Sequence, residues 1–315
     1  MPIVSNCEEV RSIYKQAAKR RWVIPCFCSE NLTTTEAILS AAQDFATENN
    51  CKKIPVSLAI TVQYSHRAQA AYYTHTRRWD TGLKLFTADA AVLTAENGPF
   101  PNVEVLLHLD HIQHDNDAEL LTQDLSEFSS IMFDASTLPF EKNIKKTAEF
   151  VKKHSKTIVI EGACDEIYNA NGGAHNELTT PENAKRYYEE TGVDMLVANL
   201  GTEHRATEQT LHYYNDIARK IKDKIGYKTV LHGLSSVSLD QVKNLYNDGI
   251  CKVNIWTMLE RDASSELLKE MKKNADRIAG QKAAISHFTT VYRQDIVFNE
   301  MKKTVRRFLD MWYKT

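Results

Sequence analysis

Eight short apolar runs, rich in β-branched residues, recur along the chain and are separated by longer amphipathic stretches. They occupy 23–28, 53–62, 103–110, 129–136, 157–164, 194–201, 228–235 and 250–257. Most are apolar almost without interruption. That is the pattern of parallel strands covered on both faces, since a strand with one wet face alternates. Eight such strands alternating with helices predict an α/β fold closed into a parallel (β/α)₈ (TIM) barrel. The competing open, doubly wound sheet would need a Gly-rich first turn, and no GxGxxG or Walker sequence is present. The 315 residues suit one barrel domain, 1–315, with a helical tail at 264–315.

Local signals place several helices. Asn31 is positioned to cap a helix over 32–45. Thr180 followed by Pro181 opens one over 181–191. Ser238-Leu239-Asp240-Gln241 is a capping-box pattern, and Gly249 is the expected stop of a helix over 238–248. The polar stretch 64–101 fits no single strand–helix period and carries a helix at 79–94. The tail has no strand signal and reads as two basic helices, 261–278 and 295–313. It is expected to be a packing or dimer-contact appendage, with Lys302, Lys303, Arg306 and Arg307 on a solvated face.

Composition removes several classes of function. Lys and Arg number 39 against 41 Asp and Glu, a formal charge of −2, which argues against a general nucleic-acid or membrane-surface binder. Six cysteines at irregular spacing, with no CxxC pair, read as reduced thiols of a cytoplasmic protein. No apolar run approaches the roughly 18 residues of a membrane span, and 1–14 has no apolar segment of the signal-peptide kind.

Three of the 11 histidines stand out by position. His111, His204 and His232 fall at or just past the ends of the third, sixth and seventh runs. In a parallel barrel these ends converge on one mouth, where active sites lie. Neutral imidazoles suit zinc-like ions, and three protein ligands with one open position make a catalytic site. Asp110 precedes His111. It reads either as a carboxylate at the mouth or as a strand-end residue that satisfies loop amides.

Five blocks in order make the chain recognisable. His108-Leu-Asp-His111 resembles the H-x-D-H signature of class II fructose-bisphosphate and tagatose-bisphosphate aldolases. Ser130-Ile-Met-Phe-Asp134 with the following Leu138-Pro-Phe-Glu, Gly201-Thr-Glu-His204, Leu231-His232-Gly-Leu-Ser235, and Lys252-Val-Asn254 with Thr257 resemble further blocks of that family, over roughly 20–260. The resemblance implies that His111, His204 and His232 bind a catalytic divalent ion, zinc or another transition metal, with a monovalent cation as a further candidate. It implies that Asp110 is the acid/base toward the aldehyde half. Gly233, Ser235, Asn254 and Thr257 would hold the phosphate and hydroxyls of dihydroxyacetone phosphate. The expected reaction is reversible C–C cleavage of a ketose phosphate through a metal-stabilised enediolate, without a Schiff base on Lys252. A homodimer is expected from the same likeness.

The departures bear on substrate. Where the family has a loop Glu after Gly-Gly, this chain has Gly172-Gly173-Ala174-His175, with Glu177 nearby; His175 and Glu177 are the candidates for the base. Ala163 replaces the second Glu of the fifth block, while Glu161 and Asp134 remain as residues for a second metal position. Arg205 replaces the Gly after the metal histidine. It would either recognise a carboxylate or second phosphate, or turn outward to Glu203 or Glu208. Trp256 and Cys28 stand where the family often has Asp or Ala, and Asn. Two other readings stay open: a catalytically weak homologue that binds a sugar phosphate, and, more remotely, a zinc hydrolase.

Overall fold

The computed structural model describes residues 3–167, 178–206, 212–279 and 285–314. Eight parallel strands close in sequence order: β1 (Ile24–Cys28), β2 (Ile54–Ile60), β3 (Val103–Gln113), β4 (Ser130–Asp134), β5 (Val159–Ala163), β6 (Met195–Val197), β7 (Thr229–Leu231) and β8 (Ile250–Ile255). The ring shuts where β1 pairs with β8, Ile24 opposite Lys252 and Cys26 opposite Asn254. Each apolar run becomes a strand. β6 and β7 are shorter than their runs, because the chain leaves the ladder to form the mouth. β3 runs beyond Asp110 to Gln113.

The helices are α1 (Cys7–Lys19), α2 (Leu32–Glu48), α3 (Gln69–Tyr72), α4 (Trp79–Leu93), α5 (Phe140–His154), α6 (Pro181–Thr191), α7 (Asn215–Ile225), α8 (Leu239–Lys243), α9 (Thr257–Lys273), α10 (Ala275–Ala279) and α11 (Thr290–Tyr313). Asn31 accepts from the Thr34 N–H and Thr180 from the Asn183 N–H, so both caps form where the sequence places them. α6 closes on Gly192, whose φ of 71° is the left-handed conformation of a helix end. Ser238 does cap α8, but the helix stops at Lys243 instead of running to 248. Asp248 is held by Arg219 (2.8 Å) and Tyr213 (3.1 Å), and residues 244–248 tighten into turns between that anchor and α8.

α1 crosses the N-terminal end of the barrel. Its buried Cys7, Val10, Ile13 and Ala17 recur at helical spacing, and Arg11 ties it to Asp194 at 2.7 Å just before β6. The basic helix α11 lies against α2 and α9, with Val305, Phe308, Leu309 and Trp312 in the main core. Trp312 Nε1 donates to the Val242 carbonyl (3.0 Å) and the Tyr313 hydroxyl to that of Pro55 (2.7 Å). The expected solvated basic face is solvated only in part: Lys302 reaches Asp44 (2.6 Å) and Arg306 reaches Glu48, while Lys303 and Arg307 are exposed, Lys303 pairing with Glu300 on its own helix (2.8 Å) and Arg307 with Asp262 (3.2 Å). All six cysteines are free thiols, and no described helix is long and apolar enough to cross a membrane.

Inside the barrel, Lys252 on β8 and Glu161 on β5 are fully buried and pair at 2.6 Å. Burial works against the Lys252 charge, yet its pKa ends above the ordinary lysine value, with Glu161 among the groups that raise it. A protonated amine is no nucleophile, which agrees with the rejection of a Schiff base there. Lys252→Met leaves Glu161 as an uncompensated buried charge and is expected to cost about 3–5 kcal/mol. Adding Glu161→Leu should recover much of it. Urea unfolding of both variants checks this, and a single variant within about 1 kcal/mol of the parent would contradict it.

Candidate metal centre and active site

Consecutive strand residues point to opposite faces, so Asp110 and His111 should not share a pocket. They do, because β3 is irregular at this point. Its register against β4 slips between Leu109 and Ile112, and His111 takes a left-handed φ of 48°. Bulges of this kind re-aim side chains near active sites. His108 and Asp110 keep the inward face, and His111 is turned into the mouth beside Asp110.

His204 follows β6 and His232 follows β7, and both come to the same place. The ring centroids of His111 lie 5.3 Å from His204 and 4.8 Å from His232. One ring nitrogen from each of the three falls within 4.8 Å of the others. All three Nε2 atoms are buried without a hydrogen-bond partner. Three unpartnered, buried ring nitrogens gathered this closely are costly unless something fills the space between them. Burial, with His111 close by, lowers His204 to about 3 and takes His232 well below the usual imidazole value, so both are neutral and carry a free lone pair.

His111 is oriented from behind. Its Nδ1 lies 3.2 Å from Asp134 Oδ2, and since an ionised carboxylate only accepts, Nδ1 is the donor and Nε2 the free acceptor. Burial pushes the Asp134 carboxyl up, but hydrogen bonds from His111 and Ser136 outweigh it and hold the group at about 2. Tyr64 covers the other face of His111, stacked at 4.4 Å with planes 4° apart. Asp134 is therefore behind a histidine, and Glu161 is engaged by Lys252. Among the described residues, the set that converges as ligands is the three histidines.

Asp110 is 1% exposed and held at both oxygens. Oδ1 accepts from Asn254 Nδ2 at 2.9 Å and Oδ2 from Arg67 Nη2 at 3.2 Å, with Cys28 Sγ at 3.7 Å. Across the pocket, Gly233 has a φ of 70°, and a Cβ there would come within 2.9 Å of the Glu203 backbone, so only glycine fits. The 3₁₀ turn Leu234–Ser236 follows, with Ser235 Oγ buried and unpartnered. Thr257 opens α9 with no side-chain cap, which leaves first-turn N–H groups at the pocket wall. Arg205 lines the same pocket, with its Nη2 on the His66 carbonyl at 2.5 Å; among the described residues it pairs with no carboxylate, Glu203 included. His175, Glu177 and Glu208 lie outside the described residues.

Tyr64, His66 and Arg67 were not singled out by the sequence reading. They sit in the polar stretch that follows β2, and the signal for them was their place just after a strand's C-terminal end, as with the three histidines.

Below Asp110 a polar column descends into the barrel. His108 Nε2 stands 3.8 Å from Asp110 Oδ1 and 3.6 Å from Glu161 Oε2, with Nδ1 on Ser130 Oγ at 2.9 Å. Burial, reinforced by Lys252, lowers His108 to about 3, so it is neutral in the fold. A folded-state pKa below the unfolded value gives stability that is present above about pH 6.5 and lost as pH falls toward 3. Between pH 7 and pH 5 the His108 share of that loss is about 2 kcal/mol. His108→Gln should therefore lose about that much less than the parent over this interval in urea unfolding with chelator present. Equal losses would contradict the assignment.

The family model for class II fructose-bisphosphate aldolase matches residues 8–313, so the chain belongs to that family. A fructose-bisphosphate aldolase of Streptococcus pyogenes serotype M3 is 30% identical over 281 residues, which cover 85% of this chain and 86% of the relative. One from Streptococcus pneumoniae serotype 4 is 31% identical over 250 residues, covering 78% and 77%. Among solved structures, the fructose-bisphosphate aldolase of Campylobacter jejuni superposes with a TM-score of 0.79 at 19% identity, covering 99% of this chain and 95% of that one. The YdjI aldolase of Escherichia coli K12 does so at 0.69 and 22% identity, with 96% of each covered. At these identities the structural likeness carries the fold.

Proposed function

We propose that the chain is a metal-dependent class II aldolase that reversibly cleaves a ketose phosphate to dihydroxyacetone phosphate and an aldehyde. The observation that carries this reading is the convergence of three buried, unpartnered Nε2 atoms beside a fixed carboxylate, Asp110, in one pocket. The donor set fits zinc or a similar transition metal: three imidazoles, one of them oriented by a carboxylate, gathered in one pocket. A divalent ion held by His111, His204 and His232 would supply Lewis-acid polarisation of the donor's carbonyl.

The remaining work falls to the chain's own groups. The N–H groups around Gly233 and Ser235 and at the start of α9, with the Asn254 and Thr257 side chains, suit the donor's phosphate and hydroxyls. Asn254 Oδ1 and Ser235 Oγ are buried and unpartnered, and ready for hydroxyl or phosphate partners. Asp110, fixed by Asn254 and Arg67, is placed to exchange a proton with the aldehyde oxygen. His175 and Glu177 remain the proposed pair from which the carbon base is drawn.

Deuterium exchange into dihydroxyacetone phosphate in D₂O tests the donor half without knowledge of the aldehyde. Zinc-loaded protein is expected to catalyse exchange, chelator to abolish it, and loss of the base, through His175→Ala or Glu177→Ala, to slow it by about 10²–10⁴-fold. Exchange that persists in chelator, or none from metal-loaded protein, would overturn the reading.

A further inference from the structure

The imidazole of His111 is held at one edge and on one face. At the edge, Asp134 Oδ2 accepts from Nδ1 at 3.2 Å, and on the face Tyr64 is stacked at 4.4 Å. Neither support belongs to the strand that carries His111. Asp134 ends β4, and Tyr64 lies in the loop after β2. Followed back through their own partners, both lead to one buried group that the proposed chemistry does not use, the carboxylate of Asp117.

Asp117 is fully buried in the turn that follows β3. Its N–H donates to the Gln113 carbonyl (3.2 Å) and its Oδ2 accepts from the Gln113 N–H (2.8 Å), so the turn closes back on the strand end. Its Oδ1 accepts from the Gln63 N–H at 3.0 Å. The first carboxylate bond holds the residue that steadies Asp134. Gln113 Nε2 donates at 2.9 Å to Oδ2 of Asp134, the same oxygen that receives the His111 proton. The second holds the neighbour of Tyr64, and Gln63 Nε2 adds a bond to the Asn116 carbonyl at 2.8 Å. The base of that loop is shut separately, by Thr61 N–H to Gln69 Oε1 (3.0 Å) and Gln69 N–H to Thr61 Oγ1 (3.1 Å). Its tip, which carries Tyr64, is tied to the turn after β3 through Asp117 and Asn116. Burial pushes the Asp117 carboxyl up to about 6, and the two N–H donors work against burial, so the acceptor stays ionised at neutral pH.

We infer that Asp117 is a positioning residue for the metal centre: through Gln113 and Gln63 it fixes the edge partner and the face partner of His111, and so sets the direction in which Nε2 presents its lone pair. This rests on the aldolase reading above, in the part that makes His111 a ligand. Groups that orient a ligating histidine are typically worth about 10–100-fold in metal affinity. Asp117 acts one bond further out but on both supports at once, which places its effect at the lower end of that range.

The test is the zinc affinity of the full chain, measured by competition with a chelating dye. Asp117→Ala is expected to weaken it about tenfold, and Asp117→Asn about threefold, since the amide oxygen still serves one of the two N–H groups. Asp117→Asn carries the test alone if Asp117→Ala does not fold. Asp248→Asn, at a buried carboxylate held by Arg219 and Tyr213, controls for lost stability and should stay within about twofold of the parent. In a protein already carrying Tyr64→Leu and Gln113→Leu, adding Asp117→Ala should change affinity by less than about threefold, because its effect passes through those two side chains. The stacking is read by NMR of zinc-loaded protein with isotope-labelled histidine. A ring signal shifted upfield in the parent and unshifted in Tyr64→Leu belongs to His111, and it should lose much of that shift in Asp117→Ala. Affinity unchanged in both Asp117 variants, a loss as large in Asp248→Asn, or an undiminished effect in the Tyr64 and Gln113 background overturns the positioning role while the aldolase reading stands. A parent that binds no zinc overturns the two together.

Discussion

The site depends on one break in strand geometry. Were β3 regular, Asp110 would face the barrel and His111 the helices, and no ion held by His204 and His232 could lie beside the carboxylate. The slip after Leu109 and the left-handed His111 remove that alternation. Asp134, at the end of the neighbouring strand, then receives the His111 Nδ1 proton and fixes the re-aimed ring. The strain of a non-glycine residue at positive φ is thus held by a hydrogen bond to a carboxylate and by a Tyr64 ring stacked on the imidazole.

The same carboxylate chemistry organises the barrel interior. Lys252, Glu161, His108 and Asp110 form a buried series from the middle of the sheet up to the mouth, with closest approaches of 2.6, 3.6 and 3.8 Å. An interior of this kind gains little net stability from its charges, since each pair must first offset its own desolvation. Its effect is positional. Asp110 is bonded at one oxygen by Asn254 and at the other by Arg67, and so presents its carboxylate in one orientation.

Much of this was legible in the sequence, for a physical reason. Strands buried on both faces must be apolar throughout, so the eight runs and their order carry the barrel without any alignment. Residues at strand ends converge by topology, so His111, His204 and His232 could be grouped across more than a hundred residues of sequence. What stayed hidden depends on side-chain partners. Nothing in the polar stretch after β2 distinguishes Arg67, which reaches Asp110, from neighbours that do not. The Lys252–Glu161 pair joins strands that are not adjacent in the barrel, and strand spacing does not report contacts across its interior. Lys303 and Arg307 are exposed as the sequence suggests, but the partners of Lys302 and Arg306, Asp44 and Glu48, lie far away in sequence and leave no local signal. The early stop of α8 likewise follows from a side chain, Asp248, pinned to its neighbours Arg219 and Tyr213.

The proposed chemistry stands or falls with the three unpartnered imidazole nitrogens as ligands of one ion. Crystals grown with zinc and measured on both sides of the zinc absorption edge test it directly. A single anomalous peak per chain is expected, about 2.0–2.1 Å from Nε2 of His111, His204 and His232, and it should be lost in the His232→Ala protein. A peak seated on Asp134 and Glu161 instead, or none in zinc-saturated crystals, would contradict it.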